Sequence, residues 1–227
     1  MPRARLGEGE YYHIFNRGVE KRTIFADRKD YWRFMTLLFI CQGDCIVNQV
    51  GRLVSDVERW RFDNPVFLEV LGKRYAELVA FCLMPNHFHL ILRERKEGGI
   101  SKFMQRLADA YTKYFNTRHD RVGHLFGGKF QSSHIDRNEY LNYLSAYVHL
   151  NPRELKGWRG KEATYPWSSF QDYVVENRWG AFLNPSIVQG QFDTKEEYKI
   201  FVEETPVKEI EETMPILSNL GGLTGLV

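Results

Sequence analysis

Cysteine is scarce in this chain: Cys41, Cys45 and Cys82 are the whole set. An odd, sparse set cannot make a disulfide framework, and it reads as reduced cysteines used for packing. Cys41 and Cys45 lack the C-x-x-C spacing, and no second Cys/His pair completes a zinc site. Long apolar runs are also missing. The longest, Phe34 to Cys41 broken by Thr36, falls far short of the roughly 20 residues that cross a bilayer. The opening stretch MPRARLGEGEYY has no apolar core and is no secretory signal. The N-x-S match at Asn184-Pro185-Ser186 carries the forbidden proline. The expectation is a cytoplasmic protein with no membrane partner, nucleoid-associated if it binds DNA. Gly123 to Lys129 has the spacing G-x-x-x-x-G-K, but Phe130 stands where a P-loop needs Ser or Thr for magnesium. The P-loop reading of this segment is thereby rejected.

What is present is the material of a packed domain: 43% hydrophobic residues and 26% charged, enough for one sizeable core. The net charge of +2 conceals a division. From Arg93 to Lys161 there are 14 Lys and Arg against 7 Asp and Glu, whereas from Asn184 onward there are 3 Lys against 8 acids. A basic middle beside an acidic tail suits a polyanionic partner, although a solvated face would look the same.

Periodicity supplies the elements. Tyr11–Asn16 reads as a strand, and Asp27 to Gln42 as an amphipathic helix with Tyr31, Phe34, Met35, Leu38 and Cys41 on one face. Cys45 to Phe67 is irregular and reads as a connection holding one short helix at most. Glu77–Met84 and His87–Leu92, separated by Pro85-Asn86, form a hairpin. Ser101–Arg118 is a helix, Lys129–Ile135 a strand, and Asp136 with Glu139 a capping box opening a helix that runs to about Asn151, where Pro152 ends it. Trp167 to Val175 makes a further short helix. The sum is a βαββαβ-type α+β domain with a mostly antiparallel sheet flanked by helices. The core spans 1–176, and 177–227 is an acidic, helical C-terminal extension.

Two constellations can carry chemistry. His87 and His89 alternate on a strand, so both imidazoles share a face while Phe88 and Leu90 take the other. Such a pair can hold a cation, or simply sit hydrogen-bonded on a sheet; two ligands alone do not complete a site. Tyr147 and Asn151, four apart on a helix, also share a face. They can serve chemistry or packing, as can Tyr111 and Tyr114 on the preceding helix. Lys102, Arg106, Lys113, Arg118, Arg121 and Lys129 form a basic flank available to solvent or to DNA phosphates.

Taken together, YYHIFNRGVEKRTIF, FCLMPNHFHLIL, YTKYFNTRHDRVGHLFGGKFQSS and YLSAYVHLNPRE resemble the HUH-type single-tyrosine transposases. The likeness is greatest to their relatives associated with repetitive extragenic palindromes. It runs from about Tyr11 to Tyr173, and the pairing of MPNHFH with a downstream Y-x-x-x-N-P is its most specific part. The resemblance implies a ferredoxin-like fold, His87 and His89 as metal ligands with Asn151 as the third, and Tyr147 as nucleophile. It implies Mg²⁺ or Mn²⁺ as cofactor and hairpin-containing single-stranded DNA as partner, with a homodimer possible. The activity implied is cleavage and rejoining of single strands through a 5′-phosphotyrosine. The alternative is a non-catalytic DNA-hairpin-binding regulator.

Overall fold

Alternating side chains along four short strands build one antiparallel sheet. The structure, a computed structural model, describes residues 6–206. β1 (Tyr11–Arg17) lies between β3 (His87–Glu94) and β4 (Gln131–Ile135), and β2 (Ala76–Met84) pairs with the outer side of β3. The order β2-β3-β1-β4, antiparallel throughout, is that of a ferredoxin-like α+β domain, as expected. The tight turn at Pro85-Asn86 sets the β2–β3 hairpin, and the chain after β1 folds onto it through Gly18, Ile24 and Phe25 backbone bonds.

The two faces of the sheet divide the molecule. Directly paired residues share a face. The register Arg17↔His87 and Phe15↔His89 therefore puts His13, Phe15, Arg17, His87 and His89 on one side. Tyr12, Ile14, Phe88, Leu90 and Leu92 point to the other, into an apolar core with α1 (Arg28–Ile40) and α4 (Gly99–Arg118). Asp27 caps α1 by accepting from the Lys29 and Asp30 amides. The buried Glu94 carboxylate caps α4 at the amides of Gly99 and Ile100. Gly99 has a second constraint: a Cβ there would lie 2.2 Å from the Tyr75 carbonyl oxygen, so only glycine allows the approach. The histidine-bearing face is covered by α5 (Asn138–Leu150).

Two expectations need correction. The segment 45–67 holds not one short helix at most but α2 (Val50–Glu58) and the start of α3 (Pro65–Gly72). Only Leu53 and Val57 of α2, and Phe67 and Val70 of α3, are buried, too few in each helix to write a clear period. Asn64 and Pro65, read as irregular chain, are instead the cap and first residue of α3. Second, Asp136 and Glu139 form no capping box. Pairing of Ile135 with Tyr11 keeps the chain extended, so α5 starts at Asn138 with Arg137 at its cap position and no side-chain bond there.

Residues beyond 176 join the same core. Trp179 and Phe182 are fully buried among Trp32, Phe39, Trp60, Phe62 and Phe67. Trp179→Ala is therefore expected to cost about 3–5 kcal/mol in urea unfolding. The short helices α6 (Phe170–Val174) and α7 (Ser186–Gln189) lead to α8 (Lys195–Glu204), which packs on α5. The join is polar and buried: His149 bonds Tyr198 through Nδ1 (2.7 Å) and Ser169 through Nε2 (2.8 Å), and the Tyr198 hydroxyl also meets Ser145. The helical tail is thus present as far as 206; the rest of the acidic extension, 207–227, lies outside the described residues.

Burial pushes His149 down to about 3. The unfolded chain binds this proton near pH 6.5, whereas the folded chain resists it. The unfolded state therefore holds more protons in between, and stability falls as pH drops from about 6.5 toward 3. Between pH 7 and 5 this group alone is expected to remove about 2 kcal/mol. His149→Gln should flatten the acid limb of urea-unfolding stability by that amount.

Candidate active site

β3, the C-terminal end of α5 and the turn that follows it bring four side chains together: His87, His89, Tyr147 and Asn151. The Tyr147 ring stands perpendicular to that of His89 with centroids 5.3 Å apart. Asn151 Oδ1 faces His87 Nε2 at 3.4 Å. Asn151 is held there by its own helix, since its Nδ2 donates to the Tyr147 carbonyl at 2.8 Å. α5 ends at Leu150, and Asn151 opens a single tighter turn, Asn151–Glu154, in which Pro152 is tolerated near the start. The four-residue spacing thus does two things: it puts the phenol and the carboxamide on one face, and it supplies the backbone acceptor that orients the carboxamide.

The hydrogen bonds fix the proton on His87. Its Nδ1 lies 2.6 Å from Asn86 Oδ1, while Asn86 Nδ2 donates to the Lys21 carbonyl. An amide oxygen can only accept, so His87 Nδ1 is the donor and Nε2 carries a lone pair. Nε2 and Asn151 Oδ1 are then two acceptors facing each other, an arrangement that suits a shared cation. Burial, joined by the charge of Arg17, brings His87 down to about 4, and burial also holds His89 well below its ordinary value. Both imidazoles are neutral at pH 7, the state in which nitrogen can ligate a metal.

Among the described residues, no three His, Cys, Asp or Glu side chains are grouped to hold a metal. A third protein ligand beside the two histidines would have to be of another type, and Asn151 Oδ1 is placed for it. The site is narrow: His87 and Tyr147 are each 6% exposed and His89 and Asn151 1%, so access runs past the first pair.

Two neighbours escaped the sequence reading. His13 Nε2 lies 2.9 Å from His89 Nδ1, and Arg17 sits opposite His87 in the register. His13 and Arg17 share a face of β1, as residues four apart on a strand do. Only the pairing of β1 with β3 shows that this face is the one bearing the histidines.

The other candidates are elsewhere. Tyr111 is buried on the opposite side of the sheet with Phe34, its hydroxyl on the Ile24 carbonyl, and Tyr114 bonds Asp30. Four of the six cations are engaged within the chain. Lys102 pairs with Asp44, Arg118 with Asp27 and Asp30, Arg121 with Asn116, and Arg106 binds the Gly43 and Cys45 carbonyls and the Tyr75 hydroxyl. Lys113 and Lys129 line a groove of about 1020 Å³ between α4 and the glycine-rich loop, with Phe126 and Phe130 in its wall. That groove contains none of the four clustered residues.

Comparison with known proteins accords with this geometry. Residues 58–151, which carry all four clustered side chains, match the family described as "Transposase IS200 like". The chain is similar to the IS200-like transposases. The resemblance read from the sequence is thereby borne out. A solved structure of a REP-associated tyrosine transposase bound to a REP hairpin aligns over 81% of this chain and 90% of that one, with a TM-score of 0.50 at 16% identity. That likeness supports the fold. No curated protein matches the chain. Among the described residues no helix is long and apolar enough to cross a membrane.

Proposed function

We propose that this protein cleaves and rejoins single-stranded DNA with Tyr147 as nucleophile, as in DNA transposition. One observation carries the reading: the Tyr147 ring, on a helix, stands against His89 of the strand-borne His87/His89 pair, within a segment matching the IS200-like transposases. His87 Nε2, His89 and Asn151 Oδ1 would hold a divalent cation. The mixed nitrogen and oxygen donors suit Mg²⁺ or Mn²⁺, with Mn²⁺ accepting imidazole more readily. When bound, such an ion polarises the scissile phosphate and offsets the charge of the attacking oxygen.

The chain's own residues do the rest. The phenol of a free tyrosine loses its proton only near pH 10, so attack at neutral pH depends on placement against the phosphate. The Tyr147 oxygen forms a bond to phosphorus, its proton leaves, and the bond from phosphorus to the 3′-oxygen breaks. The 3′-oxygen departs as a hydroxyl, and a 5′-phosphotyrosine remains. The number of phosphoester bonds is unchanged, so a second 3′-hydroxyl can reverse the step without a nucleotide triphosphate, in keeping with the missing P-loop. Arg17, beside both histidines, adds positive charge where the phosphate must lie. Lys113 and Lys129 would contact flanking phosphates, giving binding that weakens with salt.

The test uses single-stranded DNA carrying a hairpin, labelled at its 3′ end, with Mn²⁺. A labelled covalent adduct that resists denaturant supports the reading. Hairpin binding with no adduct or cleavage at any divalent ion would leave a DNA-binding regulator in its place.

A further inference from the structure

His13 occupies the middle of β1, wholly buried, on the face that carries the histidine pair. Its ring is nearly parallel to that of His89 (13° between planes, centroids 5.1 Å apart), and the nitrogens meet edge to edge at 2.9 Å. Its other nitrogen, Nδ1, is buried without a hydrogen-bond partner among the described residues. An apolar side chain would fill this place without leaving a buried nitrogen unpaired. The cost of keeping histidine here calls for a use.

Two proton arrangements satisfy the 2.9 Å bond. If His13 Nε2 donates, His89 takes the bond on its Nδ1 lone pair and carries its own proton on Nε2; it then offers N–H to the cleft and cannot ligate. If His89 Nδ1 donates, its Nε2 lone pair is free for the cleft that His87 Nε2 and Asn151 Oδ1 border. His13 is the only hydrogen-bond partner of His89 Nδ1 that the geometry provides among the described residues.

We infer that His13 is a positioning residue: its Nε2 accepts a hydrogen bond from His89 Nδ1–H and thereby holds His89 in the tautomer that presents Nε2 to a divalent cation. The inference rests on the metal site proposed above. His13 is not itself a ligand, since one nitrogen is spent on His89 and the other is sealed in the core. It does for His89 what Asn86 does for His87, so each candidate ligand has its own partner fixing the far nitrogen.

The test measures Mn²⁺ binding by the loss of the free-ion electron paramagnetic resonance signal, together with thermal melting in EDTA. His13→Phe keeps a ring and removes the acceptor. Mn²⁺ affinity should fall about 10- to 100-fold, with melting in EDTA unchanged or raised. His13→Gln, whose side-chain oxygen can accept, should recover most of the affinity. Equal affinity in parent and His13→Phe overturns the inference and leaves the metal site standing. Absence of Mn²⁺ binding in the parent removes the metal site, and this inference with it. The parent chain gives an independent reading that needs no variant. Long-range nitrogen–proton spectra with saturating Mg²⁺ should show His89 protonated at Nδ1, and protonation at Nε2 would refute the assignment.

Discussion

Tyr147→Phe is expected to bind a DNA hairpin as the parent chain does and to form no covalent adduct with it. The change removes one oxygen from a ring that keeps its place against His89 and His13. The ring that makes those contacts is retained in the variant. Strand cleavage should fall on the order of 10⁴-fold or more, the scale on which removal of a nucleophile acts. A 3′-labelled adduct of undiminished yield in the variant would exclude Tyr147. Tyr111 and Tyr114 offer no substitute, since both lie across the sheet with their hydroxyls engaged by Ile24 and Asp30.

Replacing both His87 and His89 by alanine should abolish cleavage at every concentration of Mg²⁺ or Mn²⁺. The loss of Mn²⁺ affinity should exceed the roughly 100-fold that a supporting residue costs. EDTA should silence the parent chain, and added Mn²⁺ should restore it but not the double variant. Full activity of that variant in EDTA would end the metal assignment. Comparing its hairpin affinity with that of Tyr147→Phe separates the two roles: both should bind DNA, and only the double variant should fail to take up the ion.

The sequence was most readable where one element carried its own pattern. HFH on a strand and Y-x-x-x-N on a helix state their geometry locally, because alternation and helical pitch fix which side chains share a face. The order of strands along the chain and the approximate bounds of α1, α4 and α5 followed for the same reason. Reading failed where the answer depended on another part of the chain. Asp136 has the right spacing for a cap, yet β4 pairing carries the backbone past it. α2 and α3 bury two side chains each and so leave little trace in the apolar pattern. His13 is the sharpest case: nothing in YYHIFN marks it until β1 is seen to lie beside β3. Arg106 and Arg118 likewise depend on other parts of the chain. Their charge suggested a ligand, but carbonyls and carboxylates brought from distant segments already engage them.

The fastening of α5 by α8, through His149, Tyr198 and Ser145, has a temporal consequence. The imidazoles sit on strands complete by Glu94, whereas the helix that presents the phenol is braced by residues about a hundred positions later. A ribosome-bound chain can therefore assemble the strands that carry His87 and His89 well before Tyr147 is stationed. If the proposed cleavage holds, the emerging chain would lack it until its last described helix has docked.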